Sequence, residues 1–282
     1  MPEASIFRPG LPLASDHPLT WIAAYLATGA LIGLLAGLLG IGGGMTLVPI
    51  LSAMFTAQQF APEHAVHLAL GTGMASIVFT SSASVREHHR HRAVDWSIVR
   101  RMAPGMITGI LLSTLASGWI SQRALALSFS VIVFGGATQI LLGRKPAAGR
   151  SLPGPAGLLA IGILIGVICG LVSAGGTFLT VPFMLFCGVT MHVAIGTGAA
   201  IGVPIAVVGT IGYIVSGSQI EGLPPYSLGF VYLPALGALV IASVLTAPLG
   251  ARAAHRLPVQ TLKRVFACLL YALATKMVVT YW

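Results

Sequence analysis

Apolar residues in this chain come in long runs, interrupted by glycine, proline or clustered charge. Ten apolar segments stand out, at 19–39, 45–57, 66–84, 97–118, 124–142, 156–173, 177–188, 192–215, 229–250 and 264–281. An α-helix rises about 1.5 Å per residue, so roughly 20 apolar residues cross the hydrocarbon of a bilayer. The second and seventh segments are too short, reaching only about 20 Å. Each follows a glycine-rich break. Irregular backbone at membrane depth is tolerated only where protein or a polar cavity satisfies its amides. The pattern predicts an all-α polytopic membrane protein and makes the two breaks the first candidates for a site.

The segments also repeat. GLLGIGGGMTLVPIL (37–51) aligns without gaps with GLVSAGGTFLTVPFM (170–184), sharing Gly-Leu, Gly-Gly and Val-Pro. HLALGTG (67–73) aligns with HVAIGTG (192–198), and Pro104 and Pro234 fall in the fourth segment of each half. Five segments per copy is an odd number, so the second copy enters the membrane from the opposite side. Two inverted-topology repeats are expected, each a short, broken helical hairpin plus three full spans, an architecture recurrent in secondary transporters. The repeats occupy 19–143 and 156–282, with a tail at 1–18 and a linker at 144–155.

Composition narrows the picture. Only 7% of the residues are charged, 56% are hydrophobic and mean hydropathy is +0.94. Soluble domains carry about 25% charged residues, so lipid is the main solvent here. The net charge of +9 would suggest nucleic acid in a soluble protein. In a membrane protein it is an orientation signal, and no nucleic-acid partner is expected. Arg86, Arg90, Arg92, Arg100 and Arg101 lie in 85–101; Arg144, Lys145 and Arg150 lie in 143–155; Arg252, Arg256, Lys263 and Arg264 lie in 251–264. Only Arg8, Arg123 and Lys276 fall elsewhere. Alternating the segments puts all three basic loops on the cytoplasmic face of a bacterial inner membrane, with both termini outside. Residues 1–18 hold Pro2, Pro9, Pro12 and Pro18 and no apolar run, and read as an extracytoplasmic tail rather than a cleaved signal peptide. Cys169, Cys187 and Cys268 lack metal-ligand spacing and read as packing residues.

GIGGGMTLVPIL, its partner SAGGTFLTVPF and the paired GTG elements together resemble the TauE/SafE family of membrane proteins, over residues 19–281. The resemblance implies export of sulfite, sulfonates or related sulfur oxoanions. One departure is that Thr177 stands where the first copy has the last glycine of its triplet.

The residues themselves suggest how an anion would be held. Gly42, Gly43 and Gly44 break the first hairpin, and Gly175 and Gly176 the second. Glycine admits positive φ and close approach of a ligand to the backbone. Helices starting near Met45 and Thr177 would present free N–H groups and a positive dipole end to an anion. Hydroxyls of Thr72, Ser173, Thr177 and Thr197 would add hydrogen bonds. Against this, glycines in membrane helices commonly serve close packing, and Gly33, Gly37, Gly162 and Gly166 fit that use. His67 and His192 occupy equivalent positions in the repeat and are candidates for anion contact or proton coupling, since imidazole titrates near neutrality. His88, His89 and His91 lie among arginines and read as a solvated loop rather than a metal site.

A secondary carrier for a small anion is the leading function. No GxxxxGK[ST] phosphate loop is present, and neither cofactor nor metal is expected. An anion channel, a structural membrane subunit and an intramembrane hydrolase using Ser173 with His192 are the alternatives, and the pattern is compatible with an oligomer. No GxSxG nucleophile elbow supports the last.

Overall fold

The computed structural model describes residues 18–39, 44–60, 63–142, 151–254 and 259–282. Ten α-helices account for nearly all of them: α1 (Pro18–Leu39), α2 (Gly44–Ala57), α3 (Ala65–Arg90), α4 (Trp96–Ala116), α5 (Gln122–Leu142), α6 (Pro155–Val172), α7 (Thr177–Phe186), α8 (Met191–Gly217), α9 (Leu233–Ala254) and α10 (Val259–Tyr281). A two-residue ribbon, β1 (Ser227–Leu228) and β2 (Val231–Tyr232), leads into α9. α1, α3, α5, α6, α8 and α10 are each long and apolar enough to cross a membrane. α2 and α7 have 14 and 10 residues, about 21 and 15 Å of rise, and stop short of a full crossing. The protein is an all-α, multi-pass membrane protein.

The helices pair across the two halves of the sequence. α1 lies along α9, α4 along α6, α3 along α8 and α5 along α10, while α2 rests on α3 and α7 on α8. Each half thus lends its first helix to the other half's fourth, so the halves interlock instead of sitting side by side. Small residues make the two long contacts tight. A Cβ at Gly33 would overlap the Ser243 carbonyl of α9, and one at Gly29 would lie 2.7 Å from the Leu239 carbonyl. In α6, Gly166 is pressed on the Met106 carbonyl of α4 and Gly162 on that of Met102, while Gly105 and Gly109 answer from α4. Gly29 and Gly33 precede Gly162 and Gly166 by the same offset as the aligned glycine breaks. Close packing of small residues is what drives helices together in lipid, where burying apolar surface gains nothing.

Two expectations change. α3 continues through His88 and His89 to Arg90, so much of the basic loop is the last turns of a helix, with His91 Nε2 3.0 Å from Glu87 Oε1. Pro104 and Pro234 are not equivalent: Pro104 lies well inside α4, whereas Pro234 stands in the first turn of α9. A first-turn amide has no intrahelical acceptor, so proline is tolerated there without loss.

Candidate functional site

The glycine breaks converge. Gly44, at the head of α2, lies so close to the Ser173 carbonyl that a Cβ would overlap it, and that Cβ would also sit 2.9 Å from Ile77 Cδ1. Ile77 touches the second break as well, with its Cγ2 3.5 Å from where a Gly175 Cβ would stand. Gly44, Ile77, Ser173 and Gly175 therefore form one buried junction, built from α2, α3 and the α6–α7 link. Met45 is buried beside it at 2% exposure. Gly42 and Gly43 lie outside the described residues.

The second break is made differently from the expectation. α6 ends at Val172, and the left-handed residue that stops it is Ser173, at φ 48. Gly175 and Gly176 have no positive φ. Their small size serves close approach instead: a Gly176 Cβ would lie 3.1–3.2 Å from Ile205 Cδ1, Gly198 O and Gly202 N. At Gly175 a Cβ would meet only Ile77, at an ordinary distance. The donors at the head of α7 are partly used, Phe178 N–H reaching Gly175 O at 3.2 Å and Thr180 N–H reaching Gly176 O at 3.3 Å. Thr177 is half-buried at this end, its methyl 3.0 Å from where a Gly198 Cβ would be.

Ser173 carries the chemistry of the junction. Its side chain is fully buried and its hydroxyl has no hydrogen-bond partner. A buried hydroxyl left unpaired costs about 1–3 kcal/mol, so this is a place where a polar guest would be welcome. A Cβ at Gly73 would stand 3.1 Å from that hydroxyl, so only glycine leaves the space open. Next to Gly44 a cavity of about 10 Å³ is lined by Ser76, Thr80 and Ser243 among apolar neighbours. That is room for one water.

The paired GTG elements have a definite use. Thr72 Oγ1 accepts a hydrogen bond from Tyr232 N–H at 3.0 Å, and Thr197 Oγ1 accepts one from Asp95 N–H at 2.9 Å. Tyr232 leads into α9 and Asp95 caps α4, its carboxylate accepting from Ser97 and Ile98 N–H. Each threonine thus fixes the entry of the other half's fourth helix. The glycine before it gives that entry room: Gly71 abuts the Phe230 carbonyl and Gly196 the Ala93 carbonyl. The glycine after it faces the break, Gly73 towards Ser173 and Gly198 towards Thr177.

The two equivalent histidines part company. His67 is 2% exposed, with Nε2 3.0 Å from Ser117 O and 3.1 Å from Ile120 O. His192, in the first turn of α8, is exposed. Neither belongs to the junction of the breaks.

Sequence reasoning passed over Ile77, Ser76, Thr80 and Gly73. Gly73 alone carried a signal, as the glycine of the GTG repeat that faces the break. Among the described residues no group of three or more His, Cys, Asp or Glu side chains could hold a metal.

Comparison with known proteins gives the family. Residues 25–277 match the family model described as Sulfite exporter TauE/SafE. A "Probable membrane transporter protein" of Haemophilus influenzae is 36% identical over 260 residues, 92% of this chain and 98% of that protein. The "Probable membrane transporter protein YdhB" of Bacillus subtilis is 26% identical over 66% of this chain and 76% of its own. The "Probable membrane transporter protein MJ0441" of Methanocaldococcus jannaschii is 20% identical over 87% of this chain and 91% of its own. No solved structure matches the chain. The chain belongs to the sulfite exporter TauE/SafE family and is a multi-pass membrane transporter.

Proposed function

We propose that this transporter is a secondary carrier that exports a small organic or sulfur-containing anion, a sulfonate such as sulfoacetate, sulfite or a related oxoanion, across the bacterial inner membrane. The observation that carries the reading is the buried, unpaired Ser173 hydroxyl at the point where the two breaks meet. An oxoanion would accept from that hydroxyl and from backbone amides that glycine leaves approachable, near the positive end of α7. The one-water cavity beside Gly44 favours a carrier that opens and closes over a pore that stands open. Duplicated packing of α1 on α9 and α6 on α4 supports two repeats related by inversion, so that rocking one against the other exposes the junction to each side in turn.

An inside-negative potential stabilises an expelled monovalent anion by about 2.3 kcal/mol per 100 mV, or roughly 50-fold in equilibrium ratio. No acidic relay in the spans is then needed. Proteoliposomes loaded with sulfite or sulfoacetate should release it faster when a potassium–valinomycin potential makes the lumen negative. Efflux no faster than from empty-membrane controls, for every sulfonate and small carboxylate tried, would remove the carrier reading.

The orientation is tested separately. Cysteines placed at His89 should be shielded from an impermeant thiol reagent added outside intact cells, and cysteines at Glu63 and Glu221 should react. Labelling at position 89 from outside would invert the arrangement.

A further inference from the structure

A cavity of about 520 Å³ opens between the start of α3 and the turn joining α4 to α5, away from the glycine breaks. Arg123, His64 and His67 line it, against a single carboxylate, Glu63. His67 forms the buried floor, 2% exposed. Two carbonyls converge on its Nε2, which places a proton there and leaves Nδ1 to accept when the ring is neutral and to donate when it is charged. That Nδ1 is buried without a partner, and so is Nδ1 of His64. The two rings meet edge to face with centroids 5.3 Å apart. At the rim the Arg123 guanidinium stands 5.4 Å over the Trp282 ring, a cation–π contact that holds the charge in place. α3 begins at this wall, and the positive end of its dipole adds to the field. Val66 N–H is tied to Gln122 Oε1 at 3.0 Å, which joins the α3 head to the far wall.

We propose that this vestibule is a second anion site, separate from the junction of the breaks, in which His64, His67 and Arg123 hold a singly charged oxoanion of the sulfonate or sulfite class on the extracytoplasmic side. It rests on the carrier reading and on the orientation given above. The Arg123 guanidinium and the head of α3 supply the positive field, and the His64 and His67 rings form the wall against which the anion rests. The site gathers substrate at the exit and sets it against return.

Trp119 lines the cavity and is 90% exposed, so it can report on occupancy. The purified full chain is prepared with Trp21, Trp96 and Trp282 replaced by phenylalanine, leaving Trp119. Iodide, an anionic quencher, is compared with neutral acrylamide, and methanesulfonate serves as competitor. Iodide quenching should saturate and be relieved by methanesulfonate beyond the effect of gluconate at equal ionic strength. His64→Ala with Arg123→Gln should weaken iodide quenching about threefold, with acrylamide quenching and the melting temperature unchanged. Iodide quenching equal in the double variant and its parent would overturn the site. Linear quenching, relieved no better by methanesulfonate than by gluconate, would overturn it equally, leaving only a general surface potential. Protection by methanesulfonate in protein that moves no anion in liposomes would keep the vestibule and remove the carrier reading.

Discussion

Gly44→Ala is expected to abolish anion efflux while leaving membrane insertion intact. The added methyl would have to occupy the space of the Ser173 carbonyl, with Ile77 Cδ1 2.9 Å away on the other side. A carbonyl fixed in backbone cannot rotate clear as a side-chain end can. Overpacking of this kind costs about 1–3 kcal/mol, less than a domain's usual stability of about 5–15 kcal/mol. The protein should therefore fold, but with the two breaks wedged apart and the Ser173 hydroxyl displaced from whatever it serves. Gly176→Val should act the same way, since its neighbours at 3.1–3.2 Å include backbone atoms of Gly198 and Gly202. Gly175→Ala is the informative companion. Its methyl would make an ordinary contact with Ile77 and nothing else, so the melting temperature should stay at the parent value. Lost efflux in that variant would mean a substrate needs the backbone bare at Gly175. Efflux from liposomes and detergent melting curves measure both quantities. A Gly44→Ala protein with normal efflux and a normal melting temperature would mean that the anion passes elsewhere.

Thr72→Val and Thr197→Val should lower stability by about 0.5–1.5 kcal/mol each, the net worth of a part-buried hydrogen bond to a backbone donor. Valine keeps the shape and removes only the oxygen. The orphaned groups would be Tyr232 N–H at the start of α9 and Asp95 N–H at the start of α4. Serine at either position restores the acceptor and should recover most of the loss. The two threonines share no hydrogen-bond partner, so the two effects should add. As substrate contacts, the same threonines would show the opposite signature, weakened affinity with unchanged melting. Thermal unfolding of the four variants, with and without the transported anion, separates the roles.

The broad design was legible in the sequence because it is written in local and periodic terms. Segment length marked α2 and α7 as short, and direct alignment exposed the repeat. The threonines show why the site was harder. Thr72 and Thr197 stood out as duplicated, but their partners lie 160 and 102 residues away, a distance over which no spacing rule reports. The histidines mislead in another way. His67 and His192 are equivalent by alignment, yet one is buried because Ser117 and Ile120 turn their carbonyls onto it. Turns between helices decide such environments, and the repeat does not copy them. The second break looked like a glycine turn because two glycines mark it, whereas the left-handed residue is Ser173. Glycine's two uses, free dihedrals and small size, give the same letter in a sequence.

The exchange of capping bonds between halves also sets a timetable for synthesis. The Asp95 amide at the head of α4 waits for a hydroxyl 102 residues further along the chain. At ordinary translation speeds that interval is about 5–20 s, during which α4 to α7 are made. α4 waits in lipid for α6 through the first part of it, and α1 waits longer still for α9, each with its glycine face uncovered. A half-finished chain is therefore the vulnerable species, and membrane proteases or insertion chaperones would find their target there rather than in the completed transporter.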